Sequence, residues 1–324
     1  MRAAQLTAYG SADNIRIVEV PEPTIGPGQV VIRVAFGGLR YSEVTARINK
    51  GALTPPFILG TEVSGTVARV GTGVTTLCVG DRVLAQPLHG GYAELLAVEA
   101  NRVIKIPDRV PLEVALLYRV NGIASYLLVY EWAKVKDGEK VLLHAASGGV
   151  GRLVTQILKR KLSDVVVIGL AGTDEKVQSA LANGADYCIN YKTQDYLEAV
   201  QRITGGTTSA SGGVNVVFNG VGAPGLEKDP QLLRPHGRWV IYGRAGGTGT
   251  INVFPRILDS ITIMPYSMMT FMGTPAAARA TKFLEDWMNN EELDQPRIHP
   301  LEDVARLHAA MERGETQGKI VFRI

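Results

Sequence analysis

Residues 139–157 read EKVLLHAASGGVGRLVTQI, and this stretch decides the fold. Val141, Leu142 and Leu143 form a short apolar run of the kind a buried strand uses. Beyond it, Val150, Leu153, Val154, Ile157 and Leu158 recur at helical spacing and make one apolar face. Ala146, Gly148 and Gly151 stand in the three glycine places of a G-x-G-x-x-G loop, with alanine in the first. The two remaining glycines have different tasks. Gly148 lets backbone approach a pyrophosphate, and Gly151 lets the helix pack close to the strand. The helix start then offers unpaired N–H groups and a partial positive charge to phosphates. Strand, tight turn and helix in this order predict a dinucleotide-binding unit.

Downstream the same rhythm continues. VVVIGL (165–170) is a continuous apolar run, and TDEKVQSALANGA (173–185) reads as a helix capped by Thr173 and stopped near Gly184. DYCINY, VNVVFNG, GRWVIYG and SITIMPY supply further short strands, so residues 121–265 are expected to form a doubly wound parallel sheet. Upstream, QVVIRVAFGG, TEVSGTVARV, VGDRVLAQP and GGYAELLAVEANRVIKIP are strands set apart by Gly and Pro, with one helical segment near Ser42–Ile48. This is the pattern of a compact, partly open β barrel. The terminal strand KIVFRI needs a sheet to join, and the N-terminal one is the natural partner. The dinucleotide domain is therefore an insertion into a β-rich catalytic domain made of residues 1–120 and 266–324.

The choice of dinucleotide is read at the end of the second strand. An NAD site places Asp or Glu there, about twenty residues past the loop, for the ribose hydroxyls. This chain has Gly169, Leu170, Ala171 and Gly172 instead, and Lys176 follows one turn later. No carboxylate repels a 2′-phosphate and a cation is placed to pair with it, so NADPH is the expected cofactor.

The 324 residues include 34 Lys and Arg against 31 Asp and Glu, a balance that argues against nucleic acid or an anionic membrane as partner. No stretch reads as a membrane span, and MRAAQLTAYG does not read as a signal peptide. Cys78 and Cys188 lie in apolar stretches and read as two buried thiols of a reducing compartment, with one disulfide as the alternative, so the expected location is cytoplasmic.

These residues resemble the medium-chain dehydrogenase/reductase superfamily, and within it the zinc-free quinone oxidoreductase (zeta-crystallin-like) branch. The likeness runs through GPGQVVIRVAFGGLRYSEVTAR, ILGTEVSGTVARVGTGV, VGDRV, GGYAE, VLLHAASGGVG, EKVQSALANGADYCINY, GRWVIYGRAGG and GKIV. It implies an α/β protein in which a GroES-like β-rich catalytic domain carries an inserted Rossmann domain. The zinc-dependent relatives place His in a G-H-E triplet where this chain has Gly60-Thr61-Glu62, and no Cys ligand stands near positions 37–43. No metal is expected. The resemblance implies that Ser147, Gly148, Gly149, Val150 and Gly151 hold the pyrophosphate, and that Gly172, Lys176 and Tyr191 surround the 2′-phosphate. Asn219, Gly220, Val221 and Gly222, with Gly243, Arg244 and Ala245, would line the ribose and nicotinamide, and Lys319 would approach the cofactor from the catalytic domain. Relatives carry Asp where Asn219 stands.

The chain departs from the family at the substrate. Relatives read G-x-N-(P/F)-x-D/E where this chain has Gly38-Leu39-Arg40-Tyr41-Ser42-Glu43, so Arg40 replaces an Asn and Tyr41 a Pro or Phe. An arginine facing the substrate brings a permanent charge to a developing enolate, and Tyr41 is a candidate proton donor. The alternatives are that Arg40 points to solvent or pairs with Glu43. Ala124-Ser125-Tyr126 replaces Thr-Ala-Tyr, moving a hydroxyl. Lys50-Gly51-Ala52-Leu53 lacks the tyrosine that mitochondrial-type enoyl thioester reductases carry in this region, and Met264–Gly273 reads as an acyl or aromatic pocket wall, a core segment or a dimer contact.

The expected activity is NADPH-dependent reduction of a polarised double bond, in an enone or enoyl-CoA ester. The alternatives are an NADPH:quinone oxidoreductase and a non-catalytic NADPH-binding sensor. The late apolar strands GRWVIYG and SITIMPY predict edge pairing into a homodimer.

Overall fold

A computed structural model describes residues 1–49, 53–206, 212–252 and 254–324. They divide into two units, Met1–Val120 with Leu284–Ile324, and Asn121–Phe283.

The first unit begins with β1 (Arg2–Leu6), β2 (Ile15–Glu19), β3 (Gln29–Leu39), α1 (Tyr41–Ile48) and β4 (Phe57–Ile58). Strands β5 (Val63–Val70), β6 (Arg82–Ala85), β7 (Leu95–Glu99) and β8 (Val103–Lys105) follow, then α2 (Leu112–Leu117). β1 lies between β2 and β4 in a small sheet. β3 organises the larger one, pairing antiparallel with β5 and β7, because its β-branched residues are apolar along most of their length. Val30, Ile32 and Val34 of β3 join Val63, Val67, Val83 and Leu96 in one core. The buried face of α1 is unusual, for beside Val44 it carries Glu43 and Arg47. Charges are buried only where partners wait for them, and both find theirs inside this unit.

From Leu112 the chain stays helical to Trp132, through a π-helical turn at Tyr118–Gly122, α3 (Ile123–Tyr126) and a second π-helical stretch at Leu127–Trp132. The sequence showed no amphipathic stripe here, since Val114–Tyr118, Val120, Ile123, Ala124 and Leu127–Val129 are buried on every side. By length and hydropathy this segment matches a membrane-crossing helix, contrary to the expectation that none exists. Yet 67% of its most apolar window is buried within the protein, as in a core helix.

The second unit contains β9 (Lys140–Leu143), α4 (Gly149–Lys161), β10 (Val166–Ala171), α5 (Asp174–Ala182), β11 (Tyr187–Asn190) and α6 (Tyr196–Thr204). β12 (Val214–Asn219), β13 (Leu233–Ile241) and β14 (Thr262–Pro265) complete it. The strand order is β11-β10-β9-β12-β13-β14, with all pairs parallel. This is the expected doubly wound sheet, and its order reverses between β9 and β12. Ligands of such sheets bind beyond the carboxyl ends of the strands at that point.

The chain passes back to the first unit within α7 (Pro275–Asn290). There β15 (Arg297–Pro300) and α8 (Val304–Glu312) precede β16 (Ile320–Arg323), which pairs antiparallel with β3. KIVFRI thus joins the N-terminal sheet, as its need for a partner required. The boundary differs from the expected residue 265. Residues 266–283 pack with the second unit, where Phe271 meets Trp132 edge-on with ring centres 5.6 Å apart. Arg279 is bidentate to Glu131 at 2.8 Å, and Phe283 packs on Tyr126 at 5.0 Å. The Met264–Gly273 segment therefore has a packing role, with Met269 and Met272 left exposed. Both cysteines are free, and Cys78 is exposed rather than buried, because Leu77 beside it takes the core position. Cys188 is partly buried, and burial pushes its thiol up to about 11.

Candidate active site

The glycine turn sits where the strand order reverses. Gly148 is the N-cap of α4, extended at φ −80° and ψ 171°, and among the described residues no side chain caps the helix. The first N–H groups of α4 are thus without a side-chain acceptor, as an anion cradle needs. A Cβ added to Gly148 would meet only Ala145, with its carbonyl oxygen at 3.1 Å, so one face of the turn is open. Gly151 is the opposite case. A Cβ there would lie 2.9 Å from Ala146 Cα, so only glycine lets α4 close onto the strand. Ser147 is buried, and Gly149 and Val150 are half-buried at the helix start. Ser125 carries the displaced hydroxyl, which donates to Asn121 O at 2.7 Å and reaches Val150 O at 3.3 Å, so it supports this turn.

At the end of β10, Gly172 and Tyr191 come together. A Cβ on Gly172 would lie 2.7 Å from Tyr191 Oη and 3.5 Å from Lys192 Cε. Tyr191 is half exposed. Thr173 caps α5 as expected, accepting from Lys176 N at 3.3 Å, and this sets Lys176 one turn away on the same helix start. Asp174 is engaged by Asn190 Nδ2 at 2.7 Å. Backbone and Thr173 hydrogen bonds hold the Glu175 carboxyl below its usual range. Lys192 was not singled out from sequence; its closeness to Gly172 follows from the β11 register, which puts it directly after Tyr191.

The turns after β12 and β13 stack on each other. Tyr242 N donates to Asn219 O at 2.9 Å and Gly246 N to Val221 O at 2.6 Å. A Cβ on Gly243 would lie 2.7 Å from Gly220 C, so this approach depends on glycine. Asn219 is fully buried, and both ends of its amide are occupied. Oδ1 accepts from Val221 N at 2.9 Å and Gly222 N at 2.8 Å, while Nδ2 donates to Asp229 at 2.8 Å. Its side chain shapes the turn and is turned inward, whereas Arg244 and Ala245 are exposed. Asp229, absent from the sequence reading, is the centre of this arrangement. Its buried carboxylate bonds His144 at 2.8 Å, Tyr196 at 3.0 Å, Asn219 at 2.8 Å and Trp239 at 3.2 Å. An isolated Asp in LEKDPQLL gives no periodic signal of such a role.

The first unit holds a separate polar cluster. Arg40 neither points away nor pairs directly with Glu43. Its guanidinium donates to Thr61 Oγ1, and Thr61 donates through N and Oγ1 to Glu43 Oε1 at 2.7 and 2.6 Å. The residue in the place of a zinc ligand thus links a cation to a carboxylate. Tyr92, fully buried, donates to the other Glu43 oxygen. Burial and the Glu43 charge raise its phenol well above the ordinary value. Beside them Lys319 pairs with Glu62, both out of solvent. Tyr41 starts α1, and burial followed by the Glu312 charge raises its phenol. Among the described residues no group of three or more His, Cys, Asp or Glu is arranged to hold a metal ion. Of Lys50-Gly51-Ala52-Leu53, only Leu53 lies within the described residues.

The sheet order, the glycine turn at its reversal point and the β-rich first unit define the fold of a medium-chain dehydrogenase. Residues 26–108 match the alcohol dehydrogenase GroES-like domain and residues 149–285 the zinc-binding dehydrogenase domain. The chain belongs to the medium-chain dehydrogenase/reductase superfamily, in its quinone oxidoreductase branch. It is 32% identical to a 2-haloacrylate reductase of Burkholderia sp over 99% of this chain and 98% of that protein. It superposes with a TM-score of 0.91 on Escherichia coli quinone oxidoreductase complexed with NADPH, at 27% identity over the whole of both chains. A mycobacterial protein complexed with NADPH gives 0.90 at 30% identity, again over the whole of both chains.

Proposed function

We propose that the protein is an NADPH-dependent reductase of polarised carbon–carbon double bonds, acting on an enone, an enoyl thioester or a related conjugated acid derivative. The observation that carries this reading is the Arg40–Thr61–Glu43 chain. It fixes a guanidinium by its hydroxyl partner and leaves donors for an oxygen that gains charge. Two relatives crystallised with NADPH and one named for reducing a 2-haloacrylate support the same chemistry.

The proposed cofactor residues fit the group. The uncapped start of α4, Ser147 to Gly151, takes the pyrophosphate. Gly172, Lys176 and Tyr191 surround the 2′-phosphate, with Lys192 as an added cation. The turns Asn219–Gly222 and Gly243–Ala245 bound the ribose and nicotinamide side. Bound NADPH supplies a hydride. Arg40 stabilises the oxyanion that follows, and Tyr41, whose raised pKa keeps its proton at neutral pH, is the proposed proton donor. Lys319 supports this cluster through Glu62. The test follows NADPH consumption with enones and enoyl thioesters, for the wild type and Arg40→Asn. Loss of turnover in the variant with retained NADPH binding supports the assignment, and unchanged turnover overturns it.

The second reading is quinone reduction, favoured by the quinone oxidoreductase to which the chain is structurally similar. We further propose a cytoplasmic homodimer joined along β14, the last strand of its sheet. Phe254, Ile257, Leu258 and Met269 around it are 77%, 66%, 95% and 69% exposed, an apolar surface that association would cover. A monomer mass by light scattering overturns that assignment.

A further inference from the structure

Arg119 lies in the π-helical turn Tyr118–Gly122, between the buried Tyr118 and Val120. π-helical turns inside α-helices recur at functional sites. The side chain is half-buried, its Nε is shut away from solvent with no hydrogen-bond partner, and among the described residues the guanidinium forms no ion pair. Among the described residues the acid whose charge acts on it is Glu62, which is already bonded to Lys319. Around this point the other charges are matched. Arg40 and Glu43 meet through Thr61, and Lys319 meets Glu62. Arg119 is the surplus cation. A partly desolvated guanidinium with no counter-charge is costly to keep, and the cost is offset when an anion arrives.

We infer that Arg119 is a substrate-recognition residue that binds the carboxylate of a small α,β-unsaturated acid. The chemistry of that substrate class explains why a surplus cation belongs here. Hydride addition to a neutral enone creates one negative charge, which Arg40 can stabilise. Addition to an acrylate-type acid places a second negative charge beside the first, and that step needs another fixed cation. The planar fork of arginine matches a carboxylate through two parallel hydrogen bonds. The inference rests on the reductase reading and narrows it to anionic substrates.

The experiment compares wild type, Arg119→Gln and Arg119→Lys on 2-chloroacrylate and its methyl ester with NADPH. It also measures the melting shift that the saturated acid 2-chloropropionate causes without NADPH. The expected result is a fall of about tenfold or more in the acid-to-ester ratio of kcat/KM for Arg119→Gln, carried by KM for the acid. Arg119→Lys should recover much of it, and 2-chloropropionate should raise the melting temperature of wild type and Arg119→Lys but not Arg119→Gln. A ratio equal in all three proteins overturns the inference. So does a loss appearing only in KM for NADPH, which would assign the cation to a cofactor phosphate. If neither acid nor ester is reduced but the Arg119-dependent melting shift is seen, the anion site stands and the reductase reading falls. Without that shift, both fall.

Discussion

Glu62 and Lys319 stand 257 residues apart in the chain and form an ion pair whose side chains are 0% and 2% exposed. Gly38 is part of the same packing: a Cβ there would lie 2.6 Å from Glu62 Oε2 and 2.9 Å from Lys319 Nζ. The last segment of the chain is thereby fastened into the sheet built by the first hundred residues. Breaking such a pair from one side leaves an uncompensated buried charge. Glu62→Gln or Lys319→Met should therefore each cost about 3–5 kcal/mol, while the double replacement costs less than the two together. Urea unfolding of the three variants checks this, and additive losses would mean that the two charges are not coupled.

Asp229 organises the turn that follows β12. Asp229→Asn removes an acceptor for His144, Tyr196 or Trp239 and brings an amide hydrogen against Asn219 Nδ2. The expected loss is about 2–3 kcal/mol, with weaker NADPH binding because the Asn219–Gly222 turn is no longer held. Unfolding measurements and cofactor titration read the two effects separately.

Cofactor choice should follow the Gly172 neighbourhood. Lys176→Ala should weaken NADPH about tenfold or more and leave NADH nearly unchanged, since only NADPH carries the 2′-phosphate. Lys192→Ala should act in the same direction by a smaller factor. Equal loss for both cofactors would separate Lys176 from the phosphate.

His308 predicts an acid-sensitive fold. It is fully buried beside Tyr92, neither ring nitrogen has a partner among the described residues, and burial with the Arg47 charge lowers its pKa from 6.5 to about 3. Between these values the unfolded chain takes up a proton that the folded chain refuses. Stability is full above pH 6.5 and declines as the pH falls toward 3, by about 1.4 kcal/mol per pH unit for one proton. The change in urea midpoint between neutral pH and about pH 4.5 should be smaller in His308→Leu than in wild type. The same pH dependence in both would assign the acid sensitivity elsewhere.

Local patterns carried most of the architecture. β9, the glycine turn and α4 are visible because each obeys its own periodicity, and β16 was placed by its need for a sheet. The 112–132 helix was hidden because its residues are buried all round, which erases the amphipathic stripe. The 266–283 segment joins the second unit through Trp132, Glu131 and Tyr126, contacts made more than a hundred residues away in sequence. The glycine places of the turn before α4 were legible because they are steric requirements of backbone. Charge partnership was not. Nothing in the sequence connects Thr61 to both Arg40 and Glu43, gathers four donors on Asp229, or leaves Arg119 unmatched, because each depends on which strands become neighbours.

NADPH oxidation by the purified protein, with product analysis, tests NADPH-dependent reduction of a conjugated double bond most directly. NADPH should be consumed mole for mole with an enone, unsaturated thioester or unsaturated acid, giving the saturated product, and NADH should serve poorly. Oxidation of NADPH by quinones alone, or tight NADPH binding with no acceptor reduced, would contradict it.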